Sequence, residues 1–389
     1  MTADPPTEPA LVAPGGKVDP DAVRAAYEQA RERGEEGFLV RVSFTISRAA
    51  LRTRLDKYLT SRVPFMSRSQ LQSLIEGAGA TVNGRPAKAS TRLRVGDEIG
   101  LVIPPPPSGE IEPDEIPLTI LHEDEHIVVV NKQADIIVHP ARSENRGTMI
   151  NALVAHFRSA GSGELSSVGE DVARPGVVHR LDRNTTGCIV FAKTDEAHWK
   201  LGRLFEHRAV DKRYLALTHG WIKDDERTID LPIGPHRSRA KGAREKQVVR
   251  HDALGKPSVT ISRVRERYAW PAAGSADARL RYCLTELELK TGRTHQIRVH
   301  LSHTGSPIVG DDMYGGRPFV DERGGTLLAT PALHAGLLAL EHPITGAHMV
   351  FTAPVPDAMR RVIETLRAGG EVNPARVRGT VPLARFGIG

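Results

Sequence analysis

One stretch constrains this chain more than any other: GVVHRLDRNTTGCIVFAK, from Gly176 to Lys193. Cys188 to Ala192 is an apolar run opened by Gly187, the pattern of a short buried strand. A polar loop leads into it. The single carboxylate of that loop, Asp182, stands between Arg180 and Arg183. Flanking cations favour the charged form of a carboxylate, and a carboxylate on a loop entering a rigid strand has the setting of a nucleophile. A loop aspartate also serves simply to cap a turn. Spacing alone leaves both readings open.

The letters carry more than the spacing. His179-Arg180-Leu181-Asp182, Thr185-Thr186-Gly187 and Ala192-Lys193-Thr194 together resemble the signature of the RluA-type pseudouridine synthases, RNA uridine isomerases whose HRLD aspartate is the nucleophile. Further segments continue the resemblance in order. The stretch from Lys212 to Leu217 is similar to the family's K-x-Y-x-A-L strand. GRTHQIRVHL, from Gly292 to Leu301, is similar to its second signature, and Pro307 to Gly315, Leu333 to Ala335 and Phe351 to Pro354 close it. The resemblance implies that Asp182 attacks the target nucleotide, at the base or at the anomeric carbon. It implies that Tyr214 stacks on the base and is the leading candidate for proton transfer at carbon five, and that Arg298 pairs with Asp182. Arg180 would fill the space left by the flipped base, and Arg293 would contact RNA. The implied fold is α+β: a catalytic domain with a mixed, mostly antiparallel central sheet, flanking helices and a cleft at its centre, plus a small N-terminal RNA-binding domain. No cofactor and no metal are implied. Without the resemblance, Tyr214 reads as a half-buried strand tyrosine.

The chain has 389 residues, room for two domains. Hydrophobic residues at 40% and charged residues at 26% are those of a soluble globular protein. A net charge of +6 favours a polyanionic partner. No run reaches the length of a membrane helix. The opening MTADPP has neither a basic start nor an apolar core, so no secretory signal is expected and the protein reads as a cytoplasmic monomer. Cys188 and Cys283 lie in apolar runs and read as packed thiols.

Taken in order, residues 1–40 form an extension: a loose segment to about residue 18, then a helix capped by Asp19 with Pro20 at its first position and Val23, Ala26, Tyr27 and Ala30 on one face. From Arg41 to Gly100 there are eleven Lys or Arg against four Asp or Glu. Two short helices are expected here, the second (Arg68 to Glu76) opened by a Ser67–Gln70 capping box. An Asn83-Gly84 hairpin and a closing strand follow. This set, residues 41–103, resembles the alpha-L RNA-binding domain named after ribosomal protein S-four. Arg62, Ser67, Arg68, Gln70, Arg85 and Lys88 are its expected RNA contacts. A proline-rich linker, 104–115, leads to the catalytic domain at 116–369 and a loose tail at 370–389.

Within the catalytic domain, helices are expected over 148–157, 196–207 (with Trp199, Leu201, Leu204 and Phe205 apolar), 295–303 (capped by Thr294) and 357–366. The basic stretch 235–256 reads as a flexible loop for phosphate contacts, with Arg237, Arg239 and Lys241 among its cations. Two patterns resemble metal sites and are rejected. His122 to His126 spells H-E-x-x-H but runs straight into a strand, whereas the zinc chemistry needs a helix. His295, His300 and His303 are spaced five and three apart and do not share one helical face. The expected substrate is large-subunit ribosomal RNA. The alternatives are a transfer RNA substrate, a non-catalytic RNA-binding assembly factor, and a hydrolase using Asp182.

Overall fold

The computed structural model describes residues 11–32, 39–47, 51–66, 68–77, 79–103, 111–139, 146–166, 175–238, 245–271, 279–375, 377–378 and 380–389. The chain divides into an N-terminal unit ending at Glu110 and a C-terminal unit from Ile111.

The N-terminal unit runs α1 (Pro20–Glu32), β1 (Val40–Thr45), α2 (Leu55–Arg62), α3 (Arg68–Glu76), β2 (Ala80–Val82), β3 (Arg85–Pro86) and β4 (Glu98–Ile103). Its sheet order is β1-β4-β2-β3, with each neighbouring pair antiparallel. Asp19 caps α1 by accepting from the Asp21 and Ala22 amides at 2.9 and 3.3 Å. The apolar face of α1 joins the core of this unit. Tyr27 fixes the join: its hydroxyl donates to the Ile103 carbonyl at 2.7 Å and accepts from the Val40 amide at 3.2 Å. The expectation of a loose segment before α1 fails over 11–18. The Val18 amide donates to the Arg62 carbonyl at 2.8 Å, and Val18 is buried. At the hairpin, Asn83 and Gly84 have φ of 51° and 75°, the left-handed pair that a two-residue turn needs.

The C-terminal unit runs β5 (Thr119–Glu123), β6 (Ile127–Lys132), α4 (Met149–Ala160), β7 (Thr186–Ala192), α5 (Asp195–Glu206), β8 (Asp211–His219), β9 (Glu226–Asp230), β10 (Ile233–Pro235), β11 (Gln247–Val249), β12 (Val259–Pro271), β13 (Arg279–Leu289), α6 (Gln296–His303), β14 (Phe319–Val320), β15 (Thr326–Leu328), β16 (Leu333–Glu341), β17 (His348–Thr352), α7 (Asp357–Gly369) and β18 (Glu371–Pro374). The main sheet has the order β18-β12-β13-β8-β16-β7-β6-β5, with β9 beside β12 and β17 beside β16. The β7–β16 pair is parallel and the other pairs are antiparallel, so the sheet is mixed and mostly antiparallel as expected.

The continuous apolar runs of β6 and β7 have a direct cause. Val128, Val130, Ile189 and Phe191 pack with α4 on one face, while Ile127, Val129, Cys188 and Val190 pack with α5 on the other. A strand covered on both faces needs no polar alternation. Gly187 lets β7 meet β16: with φ of 111°, a Cβ there would lie 2.2 Å from the Ala335 carbonyl oxygen.

Three expectations are corrected. Trp199 is not part of the buried face of α5, since it is 63% exposed and Ala197 takes the inward position. The segment after Gly369 is not loose: β18 pairs with β12, and Phe386 and Ile388 are buried in the main core. The basic stretch 235–256 is anchored at both ends, because β10 pairs with β11. Arg239 and Lys241 lie outside the described residues. The H-E-x-x-H stretch forms the end of β5 and a turn, not a helix. Cys188 and Cys283 are buried free thiols.

Candidate active site

The loop that carries Asp182 is fixed from behind. Leu181 is anchored in the main core, and the Thr185 amide closes a turn on the Asp182 carbonyl at 3.1 Å. His179 is half-buried. Its Nε2 accepts from the Val190 amide at 3.1 Å, and its ring stacks on Phe205 at 4.4 Å between centroids. Burial, with a contribution from Lys212, lowers this imidazole to about 3, so it is a neutral fastener between the loop and β7. On the other side, Lys132 is completely buried at the end of β6 and donates to the Gln133 and Arg183 carbonyls at 2.9 and 2.8 Å. Burial brings its ammonium down to about 7, and the Asp182 charge works against that fall.

Arg298 reaches the loop from the first turn of α6. Its Nη1 donates to Asp182 Oδ2 at 3.3 Å. The same guanidinium forms a closer two-point pair with Asp311, Nε to Oδ2 at 2.7 Å and Nη2 to Oδ1 at 2.8 Å, and lies over the Tyr314 ring at 4.9 Å. Burial would depress Arg298, but Asp311, then Asp182 and Tyr314, more than reverse this and raise it above its ordinary value. Gly310 makes room for the turn that carries Asp311: its φ is 78°, and a Cβ would lie 2.2 Å from the Thr330 carbonyl oxygen.

The start of α6 differs from expectation. Thr294 does not cap it. The N-cap is His295, held in the left-handed region at φ 56° with no side-chain cap bond. Gln296 secures the turn instead: its oxygen accepts from Thr291 Oγ1 at 2.7 Å and the Arg293 amide at 3.0 Å, and its amide donates to the Val259 carbonyl at 3.0 Å. The Tyr314 hydroxyl accepts from the Gln247 amide at 2.9 Å and bonds His295 Nδ1 at 2.8 Å. His295 Nε2 lies 3.9 Å from Asp182 Oδ1. Among the described residues, Oδ1 accepts no hydrogen bond, and the Asp182 side chain keeps 20% of its surface open.

Asp182, Tyr214 and Arg298 line one cavity of about 490 Å³ between the signature loop, β8 and the turn before α6, and Arg180 and Arg293 line it too. Tyr214 is buried. That burial, then the charges of Asp182 and Cys188, pushes its phenol above the ordinary range. The remaining expected contacts fall elsewhere. Arg85, Lys88 and Arg237 are exposed. Arg68 pairs with Asp56 at 3.0 Å. Arg62 donates to the Gly15 and Gly16 carbonyls at 3.2 and 3.1 Å and lies over the Tyr58 ring, while Gln70 has a partner of its own. Ser67 lies outside the described residues. Sequence reasoning missed Lys132, His295, Asp311 and Tyr314. The signal available for Asp311 was an acid between the apolar run Pro307 to Val309 and a second acid, in a segment the resemblance already covered.

Residues 126–303 match the family described as RNA pseudouridylate synthase, and residues 53–99 match the S4 domain. An uncharacterized RNA pseudouridine synthase of Bacillus subtilis is 37% identical over 329 residues, covering 85% of this chain and 99% of its own. The chain belongs to the RNA pseudouridylate synthase family. The ribosomal large subunit pseudouridine synthase D of Pseudomonas aeruginosa is 38% identical over 327 residues, covering 82% of this chain and 93% of that one. Its namesake in Escherichia coli K12 is 35% identical over 340 residues, covering 85% and 96%. The chain is thus an RNA pseudouridine synthase carrying an S4 domain, and its substrate is uridine in RNA. Among the described residues, no group of three or more His, Cys, Asp or Glu is arranged to hold a metal ion, and no helix is long and apolar enough to cross a membrane.

Proposed function

We propose that the enzyme acts in the cytoplasm on large-subunit ribosomal RNA and that Asp182 is its nucleophile. The observation that carries the chemistry is the pairing of one arginine with two carboxylates, of which only Asp182 opens into the cavity. The ribosomal substrate is supported by the relatives named for the ribosomal large subunit and by the S4 domain.

The target uridine leaves the RNA stack at a cost of about a few kcal/mol, and Arg180 on the exposed side of the loop takes its place. Arg298 holds Asp182 Oδ2, which leaves Oδ1 free to attack. The glycosidic bond breaks, the uracil turns, carbon five bonds to the sugar, and the carboxylate is released. Tyr214 stacks on the base. Its phenol is held neutral by burial and by the Asp182 charge. The second cause disappears when Asp182 is esterified, which eases ionisation of the phenol while burial still opposes it; Tyr214 therefore takes the carbon-five proton only as its own proton passes on, and N1 of the uracil ends protonated. The test is turnover by the purified chain on transcripts of large-subunit ribosomal RNA, small-subunit ribosomal RNA and transfer RNA. Pseudouridine in the first alone is the expected result; formation in transfer RNA alone overturns the substrate.

A further inference from the structure

Lys212 and Arg213 are adjacent cations on β8, and the two-residue period of a strand sends them to opposite faces. Arg213 is saturated: it pairs with Asp211 at 2.8 Å, Glu286 at 3.4 Å and Glu288 at 2.9 Å. Lys212 shares its face with Tyr214, and both line the active-site cavity. It is half-buried there. Among the described residues its ammonium meets no carboxylate and no hydrogen-bond acceptor. Its one partner is the Phe205 ring, 5.6 Å from the centroid. Beside it stand the Phe205 ring, with His179 stacked on it, and the backbone at Gly292, where a Cβ would lie 3.8 Å from Nζ.

We infer that Lys212 binds a backbone phosphate of the RNA inside the cleft, beside the nucleotide that Asp182 attacks. The inference rests on the chain's activity on RNA. A half-buried ammonium without a counter-charge is a cost to the free protein, and burial alone lowers its pKa. The other cations of the cavity do not share that position. Arg298 is committed to Asp311 and Asp182. Arg180, Arg208, Lys290 and Arg293 are exposed to water, and Lys290 also pairs with Glu288. The phosphodiester is the anionic group of RNA, and lysine binds it as a point charge. Standing two residues from Tyr214 on one face of one strand, Lys212 fixes the backbone while Tyr214 takes the base.

The experiment compares the full wild-type chain with Lys212→Met and Lys212→Arg, using a transcript of large-subunit ribosomal RNA. Lys212→Met removes an uncompensated charge, so without RNA it should melt a few degrees higher than wild type. It should also bind RNA roughly tenfold more weakly. The slope of log Kd against log salt should become shallower by about 0.7, the share of one single-strand phosphate contact, and Lys212→Arg should restore it. A lower melting temperature with an unchanged salt slope makes Lys212 a structural residue and overturns the inference. An unchanged slope in a well-folded Lys212→Met overturns it equally. Failure of the wild-type chain to modify this RNA counts instead against the ribosomal substrate, because the melting and salt readouts do not depend on turnover.

Discussion

In the N-terminal unit one carboxylate is shared by two arginines; in the C-terminal unit one arginine is shared by two carboxylates. Asp56 is 2% exposed and holds Arg54 and Arg68, both at 3.0 Å, with the two guanidinium groups largely in water. Hydrogen bonds from Arg54, then from Arg68 and the Lys57 amide, carry Asp56 well below the usual carboxylate range against burial. The acid is spent, and the surplus charge is positive and outward. At Arg298 the arrangement is inverted. Asp311 is wholly buried and takes two short bonds, while Asp182 takes one longer bond and keeps an open oxygen. The surplus charge is negative and faces the cavity. The same residue types thus leave outward positive charge in one unit and an open carboxylate in the other. What differs is which partner is outnumbered.

The largest effect should come from the outnumbering carboxylate itself. Asp182→Asn should reduce isomerisation by on the order of 10⁴-fold or more, with RNA binding within a few-fold of wild type. Turnover assays and anisotropy check both, and retained turnover breaks the contrast between the two aspartates. Next, Asp311→Asn leaves the buried guanidinium with Asp182 alone. It should cost about 3 kcal/mol in stability and lower kcat, because Arg298 then shifts onto Asp182. A denaturant midpoint together with steady-state kinetics measures this. If the variant is as stable as wild type, Asp311 is not the anchor.

Acid should separate the units. The N-terminal unit contains no histidine, and all three tryptophans lie beyond it, so tryptophan fluorescence follows the C-terminal unit alone. Burial depresses His179 to about 3 and His334 to about 4, and shifts His219, His295 and His300 in the same direction. An imidazole whose folded pKa is depressed contributes stability that is fully present above the unfolded value, about 6.5, and lost as pH falls toward the folded one. Between pH 6.5 and 5 the C-terminal unit should lose up to about 1.4 kcal/mol per pH unit for each such histidine. Asp56, depressed from the carboxylate range, contributes stability lost only below about pH 3.9. Urea midpoints that stay level from pH 7 to 5 contradict the assignment of neutral histidines. The smallest effect should be Arg68→Ala, less than about 1 kcal/mol in stability for so exposed a partner, with a few-fold loss of RNA affinity read by salt titration.

Much of this was legible in the residues. The hairpin at Asn83-Gly84, the buried strand at Cys188 to Ala192 and the helix from Asp357 follow from local pattern, because turn chemistry and periodicity act over a few residues. The signature motifs identified Asp182, Tyr214 and Arg298, and the structure brings all three to one cavity. What escaped reading was long-range. Asp311 matters because a glycine turn brings it to Arg298, and His295 because it adopts a left-handed backbone that its letter does not announce. Arg62 bonds carbonyls 46 and 47 residues away, a contact that its neighbours in sequence do not announce. Trp199 misled for the opposite reason, since an apolar letter at a helical position does not say which face the sheet covers.

The most direct measurement is pseudouridine mapping of total RNA from cells lacking the protein, cells carrying it and cells carrying Asp182→Asn. The account predicts that one or a few uridines of large-subunit ribosomal RNA lose the modification without the protein, regain it with the wild-type chain and stay unmodified with the Asn variant. Restoration by Asp182→Asn would contradict the central claim, that the open carboxylate of the Arg298 pair is the nucleophile.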